Sequence, residues 1–105
     1  MADLRIVMAQ IDTLVGDVDG NSDKIIAAAE RAREEFAADA ILFPELALCG
    51  YPPEDLLLRP GLSLRVVHGL ERIKRSVAGI DIIVGYPRRA TGGLYNAASL
   101  LRDGR

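Results

Sequence analysis

The sequence predicts an α/β fold with two amphipathic helices on one face of a mainly parallel sheet, as a fragment of an α-β-β-α sandwich. Three observations carry that expectation. Apolar runs of strand length recur at Leu4 to Ala9, Ala40 to Phe43 and Ile80 to Gly85. Between them lie two stretches whose apolar residues fall at helical spacing. The resulting order of strand, helix, strand, helix, strand, strand is that of helices layered on a parallel sheet.

Taken in order, Leu4 to Ala9 is almost unbroken in its apolar character, which suits a strand buried on both faces. Gly16, Asp17, Asp19 and Gly20 then form a turn-rich stretch, and Asn21 or Ser22 is placed to cap the helix that follows. Ile25, Ala29, Ala32 and Phe36 recur at i, i+4, i+7 and i+11, giving that helix one apolar stripe. Ala40 to Phe43 is stopped by Pro44, which cannot donate to a central ladder. From Glu45 to Gly61 no period holds, and prolines border and punctuate the stretch, so a long loop is expected. Its apolar content (Leu46, Leu48, Tyr51, Leu56, Leu57, Leu58) implies that it packs over something. Ser63 is placed to cap a second helix with the stripe Val66, Leu70, Ile73 and Val77, and Lys74, Arg75 and Gly79 are its stop signals. Ile80 to Gly85 is a third strand and Tyr95 to Leu101 a fourth, reached after Pro87 and the Thr91-Gly92-Gly93 turn. Asp103-Gly104 is a hairpin signal. A hairpin turn with no returning strand is expected of a truncated domain, here the N-terminal part of one running over residues 1–105.

Composition narrows the function classes. The 105 residues are half apolar, enough for a core. The 13 basic and 15 acidic residues are interspersed without a basic stripe, which argues against nucleic acid as a partner. The short opening run beside Asp3 and Arg5 is neither a signal peptide nor a membrane span, so a cytoplasmic protein is expected. A single cysteine, Cys49, excludes an internal disulfide framework, and with the lone His68 it makes no metal site.

Glu45 is the candidate catalytic residue. It follows an apolar strand at its carboxyl end, where open α/β sheets place their ligands, and apolar neighbours on both sides would take it out of water. By itself, a glutamate beside a proline is more often a solvated loop residue. Cys49 could be a nucleophile, but free cysteine is commonly a small buried hydrophobe. Tyr51 could line a pocket with its ring face and hydroxyl, or simply pack in the loop. His68 lies beside a helical stripe with no carboxylate partner in view and receives no role. Asp17, Asp19, Asn21 and Asp23 alternate like calcium ligands, yet Ser22 and Ala28 stand where a calcium loop needs glycine and glutamate. Thr91-Gly92-Gly93 lacks the lysine of a phosphate-binding loop and opens a strand, so it is expected to be a hairpin connection.

The segment Ile41-Leu42-Phe43-Pro44-Glu45-Leu46-Ala47-Leu48-Cys49-Gly50-Tyr51 resembles the first catalytic motif of the nitrilase, or carbon–nitrogen hydrolase, superfamily. Arg5 to Gln10 with Val15-Gly16-Asp17 and Asn21 is similar to that superfamily's first strand, loop and helix start. Gly85-Tyr86-Pro87 and Tyr95-Asn96-Ala97-Ala98 are similar to its next strand and hairpin. Within the superfamily, Gly50 to Arg59 most resembles the glutaminase domains of bacterial glutamine-dependent NAD synthetases.

The resemblance implies an amidase mechanism using a glutamate, a lysine and a cysteine, of which only Glu45 maps onto this chain; the nucleophilic cysteine is expected downstream. It implies glutamine as the small-molecule amide, ammonia as the product passed on, and association into a homo-oligomer. ATP and magnesium are expected in a separate synthetase domain, and no cofactor in this segment. A free-standing nitrilase-family amidase or carbamoylase would share the Phe43-Pro44-Glu45 core, and a noncatalytic packing module is the alternative outside enzymes.

Overall fold

The computed structural model describes residues 3–50, 61–90 and 93–104. Its elements run β1 (Ile6–Met8), α1 (Val18–Phe36), β2 (Ala40–Leu42), α2 (Leu62–Ser76), β3 (Asp81–Ala90) and β4 (Gly93–Leu101). The strands form one sheet in the order β1-β2-β3-β4. β1 pairs parallel with β2, register Val7 with Ile41, and β2 parallel with β3, Ile41 with Ile82. β3 and β4 form an antiparallel hairpin in which Val84 lies opposite Ser99 and Pro87 opposite Asn96. The mainly parallel sheet and the adjacency of the first two strands are as the sequence predicts.

Period-2 alternation divides the sheet into two unlike faces. Ile41, Ile82, Val84, Tyr86 and Leu101 are buried with Ile25, Ala29, Ala32, Val66 and Ile73 of the helices, so both helices cover the same face. Each large apolar side chain taken from water there contributes about 1.5–3 kcal/mol. On the other face Ile6, Met8, Leu42 and Leu100 are exposed.

That asymmetry corrects the expectation for the first strand. Residues Leu4 to Ala9 do not form a strand buried on both faces: β1 spans three residues, Leu4 and Met8 are 72% and 77% exposed, and Val7 alone of its strand residues is partly buried. The apolar run reports a sheet face that the described elements leave open.

Both helix starts also differ from the sequence reading. α1 is capped by Asp17, whose carboxylate accepts from the Gly20 backbone N–H at 3.0 Å, and neither Asn21 nor Ser22 caps it. Both sit inside the first turns and are fully buried. The stripe of Ile25, Ala29 and Ala32 is buried as expected, but Phe36 in the last turn is half exposed. The helix ends on Ala37 in the left-handed region, φ 49°, a position glycine fills more cheaply. α2 starts after Gly61, φ 90°, and Ser63 lies within the helix without capping it.

β3 continues through Pro87 to Ala90, five residues beyond the predicted Gly85. The proline is tolerated because β2 pairs with β3 only as far as Ile83, so the neighbouring edge has no ladder to break there. At the opposite end, Asp103 and Gly104 both have positive φ, as their hairpin signal requires, and the Asp103 carboxylate accepts from the Gly79 N–H at 3.0 Å.

Candidate active site

The segment after β2 is held from three sides. The Phe43 N–H donates to the Ile83 carbonyl at 3.0 Å, extending the parallel ladder by one step before Pro44 ends it. Residues 45–49 then turn tightly, with the Ala47 N–H on the Pro44 carbonyl and the Gly50 N–H on the Leu46 carbonyl. Leu46, Ala47, Leu48 and Cys49 are buried, so this apolar stretch joins the core as its composition suggests. The Leu48 N–H donates to Gly85 on β3 at 3.3 Å. A side chain at Gly85 would put a Cβ 2.8 Å from the Leu46 nitrogen, which is why β3 needs glycine there. Gly50 has φ 85°, and a Cβ on it would meet the Val15 backbone at 2.7 Å.

Asn21 closes the third side. Its side-chain oxygen accepts the Leu14 N–H at 2.9 Å, and its amide nitrogen donates to the carbonyls of Leu14 at 2.8 Å and Leu48 at 3.1 Å. A residue placed by sequence as a helix cap thus ties the loop before α1 to the turn carrying Glu45.

Glu45 opens this turn and lines a groove of about 310 Å3 at the carboxyl end of β2, with Leu42, Pro44, Ile83, Asn96 and Ala98. Leu42, Asn96 and Ala98 belong to the helix-free face, so the carboxylate looks out over the open side of the sheet. Its Oε1 accepts a hydrogen bond from the Asn96 amide of β4. Glu45 is exposed, contrary to the expectation that its apolar neighbours take it out of water. Leu46 to Cys49 point into the core beneath, and nothing in the described residues covers the carboxylate from above.

The remaining candidates stand apart from this groove. Cys49 is fully buried, with its Sγ 3.6 Å from the Leu46 carbonyl and 3.5 Å from that of Gly50. Burial pushes its thiol up from the ordinary range, only partly offset by the backbone contact, which suits a thiol enclosed in the core. A thiol reagent is expected to label Cys49 at least about 100-fold more slowly in native protein than in urea, since labelling waits on opening of the core; equal rates would show the thiol to be accessible. Lys24 donates to the Asp12 carbonyl and Lys74 pairs with Glu71, both on the helix layer. His68 is exposed on α2. The alternating aspartates and asparagine are already engaged: Asp17 caps α1, Asn21 holds backbone groups, and Asp19 and Asp23 face Arg72. Tyr51 lies outside the described residues, as do Thr91 and Gly92 of the connection between β3 and β4.

Asn96 is the residue that sequence reasoning left without a role. It drew notice only within the Tyr95-Asn96-Ala97-Ala98 stretch, and no local pattern signals its contact with a carboxylate 51 positions earlier. Only the register of the hairpin brings the two together.

A family model for carbon-nitrogen hydrolases matches residues 5–105, and the chain belongs to that family. Among curated relatives, the glutamine-dependent NAD(+) synthetase of Xanthomonas campestris pv. campestris is 55% identical over 102 residues, covering 97% of this chain and 18% of that protein. Among solved structures, the glutamine-dependent NAD+ synthetase of Acinetobacter baumannii in complex with adenosine diphosphate superposes with a TM-score of 0.91 at 36% identity, covering 97% of this chain and 19% of that one. An amidase from Nesterenkonia sp. AN1 superposes at 0.80 with 26% identity, covering 96% of this chain and 39% of that one. The chain spans about a fifth of the length of the synthetases it matches.

Proposed function

We propose that this chain is the N-terminal part of the glutaminase domain of a glutamine-dependent NAD synthetase, with Glu45 as the general base. The observation that carries the reading is the placement of Glu45 at the carboxyl end of β2, on the rim of an open groove with one carboxylate oxygen oriented by Asn96. The 55% identity to a synthetase supports that subfamily over others.

In this reading the carboxylate of Glu45 takes the proton from a cysteine thiol supplied by the rest of the domain. The thiolate attacks the side-chain amide carbon of glutamine, and Glu45 passes the proton to the departing nitrogen, which leaves as ammonia. A thioester remains, and water, deprotonated by the same carboxylate, releases glutamate and the free thiol. A lysine from the rest of the domain stabilises the oxyanion. The Nesterenkonia amidase supports the nucleophile's identity: a glutamate-to-glutamine variant of it carries the acetamide moiety of fluoroacetamide at its active-site cysteine. Tyr51 is proposed to line the amide pocket. ATP and magnesium belong, on this reading, to a separate synthetase domain that uses the ammonia to amidate nicotinic acid adenine dinucleotide; the A. baumannii relative was solved with adenosine diphosphate bound. The setting is proposed as cytoplasmic, without nucleic-acid or membrane partners, in a homo-oligomer. Among the described residues, no helix is long and apolar enough to cross a membrane.

A free-standing amidase is the second reading, favoured by the match to the Nesterenkonia enzyme. The discriminating test is Glu45→Gln in the full-length enzyme, assayed with glutamine and with ammonia, because only a synthetase has an ammonia-dependent activity to retain. The 105 residues alone are expected to release no ammonia from glutamine or simple amides above a Glu45→Gln control, since their only thiol is buried in the core. Groups that act as a unit lose nearly all their effect when the nucleophile is missing. Turnover by the folded 105-residue chain would show that it holds a complete site of another kind.

A further inference from the structure

We propose that Asn96 is a positioning residue for the hydrolytic reaction, holding the Glu45 carboxylate by one oxygen so that the other faces the reacting thiol. The inference rests on the reading of Glu45 as general base. Alternation along β4 puts Asn96 and Ala98 on the helix-free face, opposite Pro87 and Gly85 of β3. Ala98 is small, and at Gly85 the backbone of residues 44–46 takes the place of a side chain, so the Asn96 amide is the polar side chain of β4 that lines the groove and reaches Glu45 Oε1.

The chemistry of the donor matters. An ionised carboxylate has two oxygens and about four acceptor sites, so one bond from an amide fixes its rotation without using up its basic capacity. A lysine or arginine in the same place would form a charge-assisted pair and hold the carboxylate ionised, weakening it as a base. An aspartate would present a second negative charge and no donor. A neutral amide orients the group, cannot accept its proton, and leaves the second oxygen free. Glu45 sits on a turn and is exposed, so the Asn96 bond is a constraint on where its carboxylate points, and geometric misplacement of a catalytic group costs on the order of 100-fold in rate.

The test uses the full-length enzyme with Asn96→Asp and Asn96→Ala, measuring glutamine-dependent and ammonia-dependent NAD formation. Both variants are expected to lower the glutamine-dependent kcat by about 10–100-fold with KM for glutamine changed less than about threefold, and to leave the ammonia-dependent rate alone. Asn96→Asp keeps the size of the side chain but exchanges the donor for a second negative charge, and Asn96→Ala removes the donor without adding a charge, so the proposal requires loss in both. If the residue merely fills space, Asn96→Asp retains near-native kcat and the inference is overturned. Parallel loss of the ammonia-dependent rate would trace the defect to folding and overturn it equally. In a Glu45→Gln background, adding Asn96→Ala should cost little further, since two groups acting through one carboxylate are not additive; a full additional loss contradicts the proposal. Should Glu45→Gln itself keep glutamine-dependent turnover, it is the base assignment that fails, a result distinguishable from an Asn96 failure on an intact Glu45 effect.

Discussion

Glu45→Gln in the full-length enzyme is expected to lower glutamine-dependent NAD formation by about 100- to 10,000-fold, the range by which a positioned acid–base group accelerates proton transfer. Glutamine has the shape of glutamate, and its side-chain carbonyl can still accept the hydrogen bond from Asn96, so the turn from residue 45 to 49 and its contacts with Gly85 should persist. What the variant lacks is a basic oxygen. The cysteine thiol then lacks its positioned base during attack on the amide, and the departing nitrogen lacks its proton donor. Ammonia-dependent formation should stay within about twofold, because the effect on the amide-cleaving step does not reach a site that takes ammonia directly. Cys49→Ser makes the contrast. That side chain is buried beneath the same turn with its sulfur against the Leu46 carbonyl, where a serine hydroxyl can donate to the same oxygen, so glutamine-dependent activity is expected to survive. Retention with Glu45→Gln and loss with Cys49→Ser would reverse both assignments.

Glu45 could be found in the sequence because two signals coincide on it: an apolar run stopped by proline fixes the end of a strand, and a motif resemblance falls on the same residues. The strand order was legible for a similar reason, since short apolar runs separated by helical stripes leave few ways to build a layer. What could not be read was anything set by contacts between distant segments. Met8 and Leu42 are apolar in sequence whether or not a partner covers them, so periodicity could not tell a strand buried on both faces from one with an open side. Asn21 looks like a cap, for asparagine is among the best N-cap residues. Asp17, four positions earlier, took that role and freed Asn21 to face inward. Pro87 reads as a strand end until the register shows that β2 has already stopped pairing beside it. Asn96 meets Glu45 only through the hairpin, and its role has no local signature at all.

The second large effect is expected at Asn21, far from any proton transfer. Leucine has the branched shape of asparagine and a larger volume, so Asn21→Leu removes the amide's bonds and adds some overpacking at a fully buried position. In the native structure that amide satisfies the N–H and carbonyl of Leu14 and the carbonyl of Leu48, and the described residues leave no buried side-chain polar atom unpaired. The substitution strands all three backbone groups. An unsatisfied buried group costs about 1–3 kcal/mol; the Leu48 carbonyl is fully enclosed, whereas Leu14 lies near solvent and can recruit water, so the total should be about 2–4 kcal/mol. Against a domain stability of about 5–15 kcal/mol, that is a substantial share. For a domain of roughly 150–250 residues, each 1 kcal/mol lowers the melting temperature by about 2–4 °C, which puts the loss near 5–15 °C. The measurement is the temperature at which the full-length enzyme loses glutamine-dependent activity, compared with that for ammonia-dependent activity. The first should fall and the second should not, because the broken lock holds the Glu45 turn. Asn21→Asp should be at least as harmful, since a carboxylate can accept from Leu14 but repels the two carbonyls it would face. An unchanged inactivation temperature in both variants would mean that the turn carrying Glu45 is fixed by Gly85 and the core beneath it, without help from α1.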